Sequence, residues 1–75
     1  IPAGEIIETT IREKSKVADK TVGEISLPPG SIFVAIIKGI HAKVPRATDM
    51  IGVGDTVFSI VSAEAKKSFL KLVAK

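Results

Sequence analysis

Apolar and polar positions divide the chain into segments whose spacing predicts the order strand, helix, three strands, helix. From Glu5 to Arg12 the residues Ile6, Ile7, Thr9, Thr10 and Ile11 are β-branched, and a stiff χ1 suits a pleated surface better than a helix. The polar stretch Glu13 to Lys16 ends this first strand. Thr21-Val22-Gly23-Glu24 then has the spacing of a capping box, in which the Thr21 hydroxyl accepts from the Glu24 amide while the Glu24 carboxylate reaches back. A short helix over Val22 to Ile25 is expected, weakened by Gly23. Pro28-Pro29-Gly30 cannot continue it and reads as a turn. Ile32 to Ile37 is continuously apolar and rich in branched residues, the pattern of a strand covered on both faces. One helix covers one face, so the other needs a second helix or a second copy of the chain.

Lys38-Gly39 is a tight connection, after which Ile40, Ala42 and Val44 alternate with His41 and Lys43 as a half-buried strand. Pro45 ends that strand because it has no amide for the ladder. Arg46 to Asp55 reads as a loop and Thr56 to Ser62 as the fourth strand, with Phe58 and Ile60 on one face and Val57 and Val61 on the other. Ser62 is a suitable N-cap for a last helix over Ala63 to Ala74, which groups Ala65, Phe69, Leu72 and Val73 on one face and Lys67, Lys71 and Lys75 on another. The expected fold is α+β, a small four-stranded sheet with two helices in the order β-α-β-β-β-α, dimerising.

Composition narrows the class. With 75 residues, 45% hydrophobic and 25% charged, residues 1–75 form a single small globular domain, too short for a multidomain enzyme. A chain of this size gains from a staple, and oligomerisation is one. The absence of cysteine removes disulfides, thiolate nucleophiles and cysteine zinc sites, and favours a cytoplasmic setting. The net charge of +3 is mild beside the basic stripe that nucleic-acid binding uses, and there is no Trp or Tyr to stack bases, so no nucleic-acid partner is expected. Ile32 to Ile37, the longest apolar run, is far shorter than the ~20 residues of a bilayer span. Ile1, in place of an initiator methionine, reads as a processing boundary within a larger protein.

Few residues carry chemistry. His41 is the sole histidine, so no two-histidine metal site and no histidine-cysteine relay can be assembled, and the scattered carboxylates read as caps, turns and solvated faces. No enzyme is expected. Gly52-Val53-Gly54 precedes a strand, whereas a dinucleotide fingerprint opens a helix, so it reads as a turn. The stripe Lys67, Lys71, Lys75 can meet phosphates or an anionic membrane but is ordinarily a solvated face. Lys38, Lys43 and Arg46 flank the strand Ile40 to Val44 beside Ile32, Val44 and Pro45. Cations next to apolar surface suit a planar phosphorylated small molecule, although charged strand ends are common. Gly54-Asp55-Thr56-Val57 followed by Lys66 faintly resembles a biotinyl-type carrier domain, but Lys66 lies in a helical pattern and no Met flanks it. A ligand-free dimerisation or adaptor module is the other alternative.

The order of landmarks resembles the C-terminal domain of the regulators of potassium conductance, the TrkA-type C-terminal domain, from about Glu5 to Lys71. The matching residues are the β-branched first strand, Asp19-Lys20-Thr21-Val22-Gly23-Glu24-Ile25, Leu27-Pro28-Pro29-Gly30, Phe33-Val34-Ala35-Ile36-Ile37-Lys38-Gly39, Val44-Pro45, and Ile51-Gly52-Val53-Gly54-Asp55-Thr56-Val57. Asp19 stands where the family prefers glycine, a substitution Asp tolerates in a left-handed backbone, and Lys38 where arginine is frequent. The resemblance implies a cytoplasmic regulatory module at the inner face of the cell membrane, part of a potassium channel or transporter or a cation antiporter. It implies a homodimer that partners a membrane-embedded subunit and senses a small-molecule effector, with no cofactor. Cyclic di-adenosine monophosphate or a divalent cation is the effector it suggests, and Ile32, Lys38, Lys43, Val44 and Pro45 are the candidate cleft residues. The Rossmann half of longer relatives is absent from this sequence, so ATP or NADH binding is not carried over.

Overall fold

The computed structural model describes residues 4–74. Its elements are β1 (Gly4–Thr10), β2 (Lys20–Thr21), a 3-10 turn (Val22–Glu24), β3 (Ser31–Lys38), β4 (His41–Lys43), β5 (Met50–Ile51), β6 (Thr56–Ser62) and α1 (Lys66–Val73). The main sheet has four strands in the order β1-β6-β3-β4, every neighbouring pair antiparallel, while β2 and β5 form a separate two-stranded ladder. The strands expected from the sequence are all present. The β2–β5 ladder is an addition, because two-residue strands carry no periodicity to read.

Both helices are shorter than expected. Over Val22–Glu24 a single 3-10 turn forms, and Ile25 leaves it with extended backbone (φ −93°, ψ 124°). The capping box holds it, the Glu24 carboxylate accepting from the Thr21 N–H at 2.8 Å and from the Thr21 hydroxyl at 3.1 Å. These bonds, with Lys20 nearby, hold the Glu24 carboxyl below its ordinary value. The last helix starts at Lys66, with Ala65 and not Ser62 at its N-cap. Ser62 stays in β6 and caps the intervening turn instead, its Oγ accepting from the Ala65 N–H at 3.3 Å.

Direct partners in the β1–β6–β3 registers share a face, so alternation sorts the sheet cleanly. Phe33, Ile36, Val57, Ser59 and Val61 point to the helix side, where Phe69, Val73 and Ala65 of the helical segment and Ile11, Val17 and Ile51 of the loops complete the core. Phe33 meets Phe69 edge-on at 6.3 Å between ring centroids. Between Phe33 and Ala35 the register slips by one residue, a bulge at Val34. That extra residue lets Phe33 and Ile36, three apart, both face the core.

The opposite face is bare. Ile6, Ile32 and Ile60 are 69%, 58% and 48% exposed, so β3 is covered on one face within the chain and not on both. Nor is β4 half-buried: His41, Ala42 and Lys43 are all exposed, as are Ile40 at 93% and Val44 at 77%. It is an edge strand with no helix beneath it.

Two backbone positions explain themselves. Asp19 has φ 62° and Gly30 φ 93°, and a Cβ at Gly30 would lie 2.4 Å from the Ser62 hydroxyl. Ser59 is fully buried in mid-sheet, and its hydroxyl has no hydrogen-bond partner. Removing that hydroxyl relieves an uncompensated desolvation. Ser59→Ala is therefore expected to raise unfolding stability by about 1 kcal/mol, read as a higher urea midpoint at unchanged slope. A lower midpoint would show that the hydroxyl is satisfied in solution.

Candidate functional site

Four of the five candidate residues, Lys38, Lys43, Val44 and Pro45, gather at the β3–β4 end of the sheet. The hairpin places them there: Lys38 pairs with His41 across a two-residue turn in which Gly39 takes φ 62°, and Ile36 pairs with Lys43. Ile32 does not join them. It lies six residues along β3 from Lys38, roughly 20 Å, and four from Ile36, the partner of Lys43, roughly 13 Å at ~3.3 Å per residue, on the bare face opposite Ile60. Within one chain Ile32 therefore belongs with Ile6 and Ile60.

Neither lysine presents a free charge. The Lys38 ammonium pairs with Asp55, whose same oxygen, Oδ2, also accepts from the Gly52 N–H at 2.8 Å. The turn is closed by the Asp55 N–H donating to the Gly52 carbonyl at 3.1 Å, with Gly54 at φ 93°. Gly52-Val53-Gly54 is thus a turn into β6, as its sequence context predicts, and Asp55 is its lock.

Lys43 donates to Asp49 Oδ1 at 2.9 Å, and the other carboxylate oxygen accepts from the Arg46 N–H at 2.7 Å. The Asp49 N–H in turn donates to the Arg46 carbonyl at 2.9 Å. Asp49 thereby ties the segment after Pro45 to β4. The Lys43 hydrogen bond, followed by that of the Arg46 N–H, holds the Asp49 carboxyl below the ordinary aspartate value. Arg46 makes no side-chain ion pair among the described residues, which leaves its guanidinium available beside Pro45.

Asp49 and Asp55, which sequence reasoning placed only among caps and turns, are the residues that engage the two candidate lysines. The signal lay in their spacing, since each follows by three residues the N–H it caps, like the acidic residue that reaches back in a capping box. His41 is exposed and forms no described hydrogen bond. Among the described residues no group of three or more His, Asp or Glu side chains is arranged to hold a metal ion. No described helix is long and apolar enough to cross a membrane. Lys66, the residue of the carrier alternative, is the first residue of α1 and pairs with Glu5 at 3.2 Å, so it is not displayed on a hairpin turn. Of the Lys67, Lys71, Lys75 stripe, Lys75 lies outside the described residues.

No family model matches the chain. Curated proteins do, three of which follow. It is 35% identical to Trk system potassium uptake protein TrkA homolog 1 of Methanosarcina mazei over 87% of its own length. It is 32% identical to TrkA homolog 2 of the same organism over 91%, and 31% identical to the TrkA homolog of Archaeoglobus fulgidus over 89%. The chain spans 15% of the length of each of these relatives. Among solved structures, a chain described as an RCK domain with cda superposes with a TM-score of 0.71, covering 89% of this chain and 96% of the other at 19% identity. That likeness concerns the fold.

The Asp49 ties generate a pH prediction. Because the native carboxyl is held below its unfolded value, its contribution to stability is complete above the ordinary aspartate range. It disappears as pH falls through the lowered native value. Asp49→Asn keeps an oxygen for the Arg46 N–H and removes the charge opposite Lys43. The variant is expected to fold and to lose that part of the acid-side decline, measured as urea midpoints from neutral to acid pH beside carboxyl NMR titration. An unchanged decline would mean that the Lys43–Asp49 pair contributes nothing in solution.

Proposed function

The chain belongs to the TrkA-type regulators of potassium conductance as one domain of that family, and on this premise we propose that it is the sensor half of a potassium-transport switch. In this reading two copies associate, a small-molecule effector binds across their interface, and the relative orientation of the copies is passed to a membrane-embedded channel or transporter subunit. The module is regulatory and not catalytic, and it works in the cytoplasm at the inner face of the membrane through its parent protein.

The observation that carries the proposal is the bare sheet face. Ile6, Ile32 and Ile60 lie side by side in register on adjacent strands, with Phe58, Ala35 and Ile37 half-buried around them. Fully covering one exposed isoleucine is worth ~1.5–3 kcal/mol, and a two-fold axis counts each residue twice. A second copy seated on this face also offers Ile32 a route to the cationic end of its partner.

Gating follows from a population shift. An effector changes the equilibrium between two orientations only by the difference in its affinity for them. Arg46 and the exposed Ile40 and Val44 supply an anion contact and an apolar surface at the same end. A phosphorylated effector can also compete with Asp49 for Lys43, because an exchange of anions on an exposed lysine costs little.

A second reading, a dimerisation module without ligand, is favoured by one observation: Lys38 and Lys43 are already neutralised by carboxylates of their own chain. One experiment separates the two. Sedimentation of the chain is expected to give a dimer, reduced to monomer by Ile32→Glu with Ile60→Glu. Calorimetry with cyclic di-adenosine monophosphate is expected to saturate at one ligand per two chains, with binding weakened about tenfold by Lys43→Glu, a loss typical of one charged contact. A dimer that gives no heat favours the second reading, and a monomer at every concentration overturns both.

A further inference from the structure

The face of the domain away from the bare sheet carries a second surface feature. A hollow of about 490 Å³ lies between α1 and the loop that follows β1, lined by Lys14, Lys16, Lys67, Leu70, Lys71 and Ala74. Four exposed lysines thus border a hollow whose lining is largely apolar, their aliphatic stems included. Among the described residues the ion pairs engage Lys38, Lys43 and Lys66 only, so these four lysines have no carboxylate partner. Glu13, the acidic neighbour of Lys14 in sequence, lines an adjacent hollow with Arg12, and Lys14 borders both hollows.

Both walls are fixed. The Lys16 N–H donates to the Leu72 carbonyl of α1 at 3.2 Å, while Ser15 and Val17 on either side are buried. Ser15 further braces the loop, its N–H donating to the Arg12 carbonyl at 3.0 Å and its Oγ accepting from the Val17 N–H at 3.3 Å. Lys14 and Lys16 are therefore held against the helix by main-chain bonds and buried neighbours. The dipole of the helix C-terminus explains Lys71, which lies in the last turn, but not the lysines that a separate loop brings to the same place.

We propose that this hollow binds a small amphiphilic phosphate, its aliphatic body on Leu70 and Ala74 and its phosphate among the four lysines. Charge complementarity sets the sign: like charges crowded around one hollow repel, and an anion between them relieves the repulsion. The cations also set the head group. Lysine meets an oxyanion as a point charge, and a phosphate dianion gains more from several such cations than a singly charged carboxylate does. The volume sets the size, falling within the ~300–1,000 Å³ of small-molecule sites. The site is separate from the proposed effector cleft and does not rest on it.

The test is a titration of the 75-residue chain with octyl phosphate, below its aggregation concentration, followed by backbone amide NMR. Saturable shifts are expected at residues 14–16 and 67–74. Octyl glucoside, the neutral counterpart, and inorganic phosphate are each expected to bind at least about tenfold more weakly, since each lacks one of the two contacts. Lys67→Glu with Lys71→Glu is expected to weaken octyl phosphate about tenfold or more. Ala74→Phe, which fills the hollow and keeps every charge, is expected to abolish the shifts. Equal binding of octyl glucoside would reduce the site to an apolar hollow, and equal binding of inorganic phosphate would reduce it to a lysine cluster. Shifts confined to Ile6, Ile32 and Ile60 would assign the amphiphile to the bare sheet. Each of these three results overturns the proposal.

Discussion

The structure depends on a mismatch between one eight-residue helix and a sheet with two faces. The helix and the loops that accompany it bury the centre of one face, and no further element among the described residues covers the other. The hydrophobic effect draws no distinction between a core within a chain and one between chains, since both remove the same apolar area from water. The chain is therefore folded on one side and unfinished on the other. Regulation can work through such an arrangement, because a face completed by association can adopt more than one packing, whereas an interior close-packed within one chain has little room to do so.

The basic residues divide along the same line. At the β3–β4 end, Lys38 and Lys43 are engaged by Asp55 and Asp49, and those carboxylates also tie down the turns that bound the site. Around α1, Lys66 pairs with Glu5, while Lys14, Lys16, Lys67 and Lys71 have no such partner among the described residues. A net charge of +3 is too small to signal this, because it averages a neutralised region with a strongly cationic one. What separates the two is whether a carboxylate is carried on the facing turn.

Much of the fold was legible in the sequence because the strands obey a period of two and the turns carry Gly, Pro and Asp where the backbone requires them. Asp19 adopts the left-handed conformation that its place in the family pattern implied. Burial was the harder reading, and the half-buried β4 expected from Ile40 to Val44 was its misreading. Ile32 to Ile37 and Ile40 to Val44 are apolar enough to look buried, and composition reports only that a surface prefers to be covered, not which molecule covers it. The helix boundaries moved because Ser62 is retained by its pairing with Gly4 in β1, a long-range contact that outweighs its local capacity to start a helix. Lys38, Lys43, Val44 and Pro45 were legible as one neighbourhood from the hairpin, while the place of Ile32 on the bare face is set by its register with β6, more than twenty residues away.

That dependence on β6 has a consequence in time. In the sheet order β1-β6-β3-β4, β6 lies between two strands that precede it in the chain, and Gly4 must find Ser62 across almost the whole sequence. As the polypeptide emerges from the ribosome, β1 has no neighbour in the main sheet, and β3 has only β4, until residues 56–62 appear. Only the β3–β4 hairpin can close early. Such non-local topologies fold slowly for their size, and their strands stay open to wrong partners while they wait. The order of strands thus makes the newborn chain, with its β-branched first strand exposed, the most aggregation-prone form this sequence passes through.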